Sequence, residues 1–387
     1  MGNTAFLFIN GALITTCIIM SFVFLFLPLP KNKGLRNYRI SLRYFALAYF
    51  SLAVLMSMIV SPNNSIVNIF IEITAISLQT ILFSFALINL FDNSFVNKIY
   101  VWKHLSPTAL FILFMFVFVW GWGNPTLQNT DDFIHNFTHP TVILNMLFLL
   151  FCIAQVIYFT RLFLSQEKEY VLKLANYYAD TFQLRLSWVR YCFFGACVFC
   201  ILIIVSMFIT SPSFELVVIV INIIFYVVFG LCYIQYPLTY TSIEPILNSR
   251  QPVSSKEPEV IFNNFSWEKL KSIIIADKYY LRPELNIEEM ALYLKVGRTK
   301  LSNCINKEGG MNFHAWINSL RIEEAKRLIQ TNPNLSFAQI AEMVGYSEQS
   351  NFSRQFKQIV NQAPTIWKHE QLSKNAQINN TRSNLNT

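Results

Sequence analysis

The sequence predicts an all-α protein, a seven-helix transmembrane bundle followed by a smaller cytoplasmic helical domain. Three observations carry that prediction. Of the 387 residues 54% are apolar and only 13% charged, against about 25% charged in an average soluble domain. Nearly all the apolar excess lies before residue 240. After residue 262 long apolar runs give way to apolar residues every three or four positions, the spacing of amphipathic helices.

Seven apolar runs are long enough to cross a hydrocarbon layer about 30 Å thick as helices. They cover about 5–27, 43–60, 66–90, 106–124, 140–160, 190–210 and 214–235. The first has no basic flank in MGNTAFLFIN and is too long for a cleavable signal, so it is expected to persist. Connections one, three and five carry the basic residues: Lys31, Lys33, Arg36, Arg39 and Arg43; Lys98 and Lys103; Arg161, Lys168, Lys173, Arg185 and Arg190. The other connections and the N-terminal flank carry none. Positive charge stays on the cytoplasmic side, so the N-terminus is expected outside and everything after Tyr236 in the cytoplasm. Trp102, Trp120, Trp122 and Trp188 fall near span ends, where amphipathic rings suit the headgroup boundary.

The outside connections are too short for a ligand-binding domain, so a stimulus must enter the bundle, arise from the lipid bilayer or come through an envelope partner. Within the third span, Glu72 in FIEITAISLQTILF is an expensive residue in lipid and a candidate membrane sensor. A protonated Glu72 bonded inside the bundle, or an ion path, are the alternatives. The seventh span has no lysine for a retinal Schiff base. Asp131, Asp132, His135 and His139 in DDFIHNFTH read as an exposed polar loop before they read as a weak metal site. Six of the seven cysteines lie in or beside spans, where thiols act as small hydrophobes; no disulfide framework is indicated. No metal, cofactor, phosphate-binding loop or nucleophile and base pair is called for, which speaks against an enzyme.

Residues 237–261 read as a Ser-, Pro- and Asn-rich linker, 262–370 as the cytoplasmic domain and 371–387 as a polar disordered tail. From residue 262 onward there are 16 Lys and Arg against 11 Asp and Glu, a modestly basic balance. WEKLKSIIIADKYYL predicts a first helix with Trp267, Leu270, Ile274 and Ile275 inward. Asn286 caps a second, and RTKLSNCINKE forms a third with Leu301 and Ile305 on one face. A longer helix over about 313–330 links this pair to a second one. There Ser336 caps a helix that Gly345 ends, and Ser347 starts another with Phe352 and Phe356 inward.

A helix, a tight turn and a helix is the helix-turn-helix pattern, whose second member enters the major groove. The second reader helix is expected to present Glu348, Gln349, Asn351, Arg354 and Gln355, side chains suited to base edges: Arg to guanine, Gln and Asn to adenine, Glu to cytosine. The first is expected to present Arg298, Thr299, Lys300 and Asn303. Two readers on a rigid connecting helix could enter successive grooves of double-stranded DNA, about 34 Å apart.

Residues 285–368 resemble the C-terminal domain of the AraC/XylS family in SLRIEEAKRLI, LSFAQIAEMVGYSEQSNFSRQFKQ and APTIWK, in that order. Arg321 and Ala325 sit at the family's places in the connecting helix, and Ile340, Ala341, Gly345, Tyr346, Phe352, Ser353, Phe356, Lys357 and Pro364 match its second unit. Lys295 stands where a turn glycine is usual and Gly297 where a hydroxyl cap is usual. Asn361, Ala363 and Lys368 replace a common Gly, Ser and Arg. The whole layout is similar to membrane-tethered regulators of that family. The resemblance implies sequence-specific transcription regulation with RNA polymerase as a partner. The rival reading is a seven-helix receptor or transporter with a helical protein-interaction tail. Oligomeric state stays open, since one chain already carries two readers.

Overall fold

The computed structural model describes residues 2–29, 35–59, 66–91, 98–125, 130–181, 184–208, 212–235 and 267–373. The expected linker over 237–261, the chain after residue 373, Lys31, Lys33 and parts of the short outside connections lie outside the described residues. Among the described residues the secondary structure is helical, with no strand. The chain divides into two compact units, Met1–Tyr170 with Leu186–Asn248, and Val171–Arg185 with Ser249–Thr387.

The first unit contains α1 (Gly2–Phe26), α2 (Arg36–Ser57), α3 (Ile66–Phe91), α4 (Lys98–Trp122), α5 (Thr130–Asn136), most of α6 (Pro140–Tyr177), α7 (Ser187–Phe208) and α8 (Pro212–Ile234). Seven of these, all but the short α5, are long and apolar enough to cross a membrane. Several outrun their apolar windows, because such a window marks the lipid-compatible part of a helix and not its ends. Helix α2 begins at Arg36, α4 at Lys98, and α6 runs for 38 residues, about 57 Å at 1.5 Å per residue. Pro107 lies inside α4 and cannot donate to the Lys103 carbonyl; the Ser106 hydroxyl takes that acceptor at 3.3 Å.

Helices α1, α2, α3 and α8 share the tightest contacts. Aromatic rings fill much of the space between them: Phe45 lies 4.6 Å, centroid to centroid, from Tyr233 and 4.9 Å from Phe229. Several polar side chains are satisfied across helices, as an apolar surround favours. Tyr49 and Tyr38 donate to the Tyr226 and Tyr233 carbonyls at 2.8 Å. Ser77 bonds Thr108 and Gln155 at 2.8 and 2.9 Å. The outward faces stay apolar; Phe8, Phe116, Ile99 and Trp120 are exposed.

The second unit contains α9 (Trp267–Ala276), a 3-10 turn (Tyr279–Leu281), α10 (Ile287–Tyr293), α11 (Arg298–Lys307), α12 (Phe313–Thr331), α13 (Phe337–Met343), α14 (Gln349–Val360) and a last helical stretch over 364–373. The single expected helix through Leu281 is split. Lys278 takes a left-handed φ of 52° after α9, and of the expected inward stripe only Leu270 and Ile274 are fully buried. Asn286, Asn312 and Ser336 each accept a backbone N–H three residues on, and Ser336 completes a capping box with Gln339. Helix α14 begins at Gln349 with Glu348 as its N-cap residue, so Ser347 does not start it. Helix α12 runs between the pairs and buries Trp316, Ile317, Ile322, Ala325, Leu328 and Ile329. The second pair closes on the last of these through Ile340, Val344, Phe352 and Phe356.

Candidate nucleic-acid interface

Each helix pair is joined at a residue with left-handed backbone. Gly345 ends α13 at φ 87°, and a Cβ there would lie 2.3 Å from the Leu281 carbonyl oxygen, so the turn requires glycine for space as well as conformation. In the first pair Lys295 holds the equivalent place at φ 53°. The lysine found where a turn glycine is usual therefore keeps the geometry at the cost of a strained backbone. Gly297 serves as the N-cap residue of α11 with no side-chain cap.

Arg321 on α12 is fully buried and ties the second turn to the preceding chain. Its guanidinium donates to the Tyr280 carbonyl at 2.8 Å and the Arg282 carbonyl at 2.6 Å, and lies over the Tyr346 ring. Nearby, Glu324 accepts from Lys278 at 2.8 Å and from Arg327 at 2.7 and 2.9 Å. The Arg327 hydrogen bonds, with those of Lys278, outweigh burial and hold this carboxyl down at about 2.

On the first reader helix, α11, Leu301, Cys304 and Ile305 point inward while Thr299, Lys300 and Asn303 are exposed as expected. Arg298 is partly covered: it pairs with Glu288 at 3.5 Å and stacks over the Tyr177 ring. On the second, α14, Glu348, Gln349 and Arg354 are exposed. Asn351 and Gln355 correct the expectation, because both are buried, at 3% and 9% exposure. They lie four apart beside Phe352 and Phe356, so the inward stripe is two residues wide. The Asn351 amide nitrogen has no partner among the described residues, and Gln355 reaches His314 at 3.4 Å. Ser350, Lys357 and Gln358 are exposed instead, and the same helical count run from both phenylalanines would have found them.

A polar cluster on α12 has no signature in residue spacing. His314 Nδ1 donates to the Ala179 carbonyl at 2.6 Å, and Asn318 donates to the same oxygen at 2.8 Å. Tyr346, in the second turn, donates to Asn318. Ala179 follows α6 and also donates from its own N–H to the Leu285 carbonyl at 2.9 Å; beside it Tyr178 forms a bridge with Asn286. The peptide at 177–179 thus touches the cap of α10, the start of α11 and the first two turns of α12, all within the second unit. Burial, opposed in part by the Ala179 hydrogen bond, pushes the His314 imidazole below its usual range.

Other candidates lie in the first unit. Glu72 lines a cavity of about 120 Å³ together with Glu215. His135 lies in α5, while His139 bonds Thr141 at 2.7 Å and the Trp122 carbonyl at 3.1 Å, so both of its ring nitrogens are engaged. Among the described residues no three His, Cys, Asp or Glu side chains are grouped to hold a metal. All seven cysteines are free.

Residues 290–370 match the family model described as a helix-turn-helix domain. This segment is a helix-turn-helix domain of the AraC type. The domain is similar to parts of several regulators. One is the regulatory protein PocR of Salmonella typhimurium, 27% identical over 28% of this chain and 35% of that protein. Another is the probable transcriptional regulator LumQ of Photobacterium leiognathi, 24% identical over 28% of this chain and 45% of that protein. A third is the Msm operon regulatory protein of Streptococcus mutans, 28% identical over 22% and 31%. The chain spans less than half the length of each of these relatives. No solved structure matches it.

Proposed function

We propose that the chain is a membrane-anchored transcription regulator that binds double-stranded DNA through α11 and α14 and couples a membrane or envelope signal to promoter binding. The observation that carries the reading is the union, in one chain, of an AraC-type domain with seven helices long and apolar enough to cross a membrane. Basic residues confined to alternate connections support an outside N-terminus and a cytoplasmic reading domain in a bacterial inner membrane. Exposed apolar side chains on the helix faces support contact with the lipid bilayer.

For coupling, the supporting feature is α6. Its last residues, from Val171, belong to the second unit, and the peptide that follows is hydrogen-bonded to His314 and Asn318. A shift of α6 would alter the anchor between the two reader pairs. Within this reading Glu72 is the membrane sensor, Thr299, Lys300 and Asn303 with the half-covered Arg298 form the first DNA contact set, and Glu348, Gln349 and Arg354 form the second. Activation would add contact with RNA polymerase.

The test uses the full chain in lipid nanodiscs. Saturable binding to a genomic operator that weakens as salt rises is expected, together with protease access to residue 300 from the cytoplasmic side alone in intact cells. Equal binding to all DNA sequences, or access from outside, overturns the reading.

A further inference from the structure

In the first unit Glu72 and Gln79 lie seven apart on α3, and Glu215 and Asn222 lie seven apart on α8. Residues two turns apart share a helix face, and all four side chains line the cavity of about 120 Å³. Part of the polar lining is already satisfied. Gln79 donates to the Ala48 carbonyl at 2.8 Å and accepts from the Tyr226 hydroxyl at 3.3 Å. Asn10 donates to the Met56 carbonyl at 3.2 Å. Ser84, Glu72, Glu215 and Asn222 carry no such bond among the described residues. Asn222 is buried, at 7% exposure, and neither it nor Glu72 nor Glu215 has a hydrogen-bond donor or counter-ion among the described residues. Glu215, in the first turn of α8, meets the positive end of that helix. Glu72, well inside α3, has no such compensation.

An unmatched pair of carboxylates beside an amide, inside a largely apolar wall, selects for what it lacks. Anions are repelled, and a neutral hydrocarbon leaves the polar groups unpaired at a cost of about 1–3 kcal/mol each. Metal ions are poorly served, since hard cations take six or more oxygens and the rest of the wall is largely rings and aliphatic chains such as Phe6, Leu52, Phe83 and Phe199. A cavity of about 150 Å³ holds benzene, which sets the size of the occupant. We infer that this cavity binds a small organic ammonium ion, a primary amine with a compact apolar body whose N–H groups reach Glu72, Glu215 and Asn222. The inference deepens the sensor reading of Glu72 and rests on it for its regulatory meaning, though not for the binding itself.

The full chain in nanodiscs is titrated calorimetrically with butylamine and benzylamine, and with 1-butanol and benzyl alcohol as uncharged near-isosteres. The amines are expected to bind saturably at one site per chain and the alcohols at least about tenfold more weakly. Glu72→Gln and Glu215→Gln should each weaken amine binding by about tenfold, and Asn222→Leu by less. Comparing amine with alcohol on the unaltered chain requires no variant to fold. Absent saturable amine binding, equal binding of amines and alcohols, or binding that persists in the double glutamine variant overturns the inference. Operator binding by the same preparation is scored separately, so a chain that binds DNA but no amine refutes the ligand and leaves the regulator standing.

Discussion

His314 donates from Nδ1 to the carbonyl oxygen of Ala179 at 2.6 Å, across 135 residues of sequence. The bond fixes the imidazole tautomer: with Nδ1 donating, Nε2 accepts from Gln355 on the second reader helix at 3.4 Å. One ring therefore joins the peptide after α6 to α14.

Acid should loosen that junction. Burial lowers the His314 pKa, so the group favours the fold fully above its unfolded value of about 6.5 and progressively less as pH falls toward the lower folded value. Amide hydrogen exchange at 177–181, after correction for intrinsic rates, should speed up between pH 7.5 and 5.5. In His314→Gln, which keeps a neutral donor, the same interval should be flat. A flat profile in the unaltered chain would contradict the buried, neutral ring.

Glu324 gives a second acid response at lower pH. Its carboxyl is held at about 2 by Arg327 and Lys278, so it contributes stability above about 4.5 that is lost as pH falls through about 2. Lys278 and Arg327 are half exposed, which screens the carboxylate's pairing and reduces the worth of Glu324 to about 0.5–1 kcal/mol. Glu324→Gln should lower the unfolding free energy of the second unit by about that amount at pH 7 and by close to nothing at pH 2. Denaturant unfolding at the two pH values checks the difference.

The two turns predict substitutions of opposite sign. Lys295 occupies left-handed backbone without being a glycine, so Lys295→Gly should stabilise the second unit by about 0.5–1 kcal/mol, relief of strain exceeding the added chain entropy. Gly345→Ala should destabilise it by about 2 kcal/mol or more, because a Cβ would press on the Leu281 carbonyl at 2.3 Å as well as strain the turn. Thermal unfolding of both variants provides the check.

Much of this was legible in the residues. Long apolar runs state their own secondary structure, and Asn286, Ser336 and Gly345 act through bonds to near neighbours, so caps and turns follow from local chemistry. The faces of α14 are less legible. Phe352 and Phe356 fix the middle of a buried stripe but not its width, which depends on α12 packing beside it and covering Asn351 and Gln355. The Ala179 junction is a long-range meeting of a backbone carbonyl with two ordinary polar side chains, and no spacing along the chain announces it.

The burial of Asn351 on α14 separates its effect from that of Arg354. Arg354 is exposed on the outer face, while Asn351 is buried with its amide nitrogen unpartnered among the described residues. If Arg354 pairs with a guanine edge, Arg354→Ala should cost about 1–3 kcal/mol of operator binding and relax preference at one base pair. Uniform weakening across sequences, with a shallower salt dependence, would assign it to phosphate instead. Asn351→Leu removes an unpaired buried donor and keeps the volume, so stability should change by less than about 1 kcal/mol and operator preference not at all. Selection of bound sequences from a randomised pool, run on both variants, distinguishes a reading residue from a packing one. Altered base preference in Asn351→Leu would return that side chain to the DNA face.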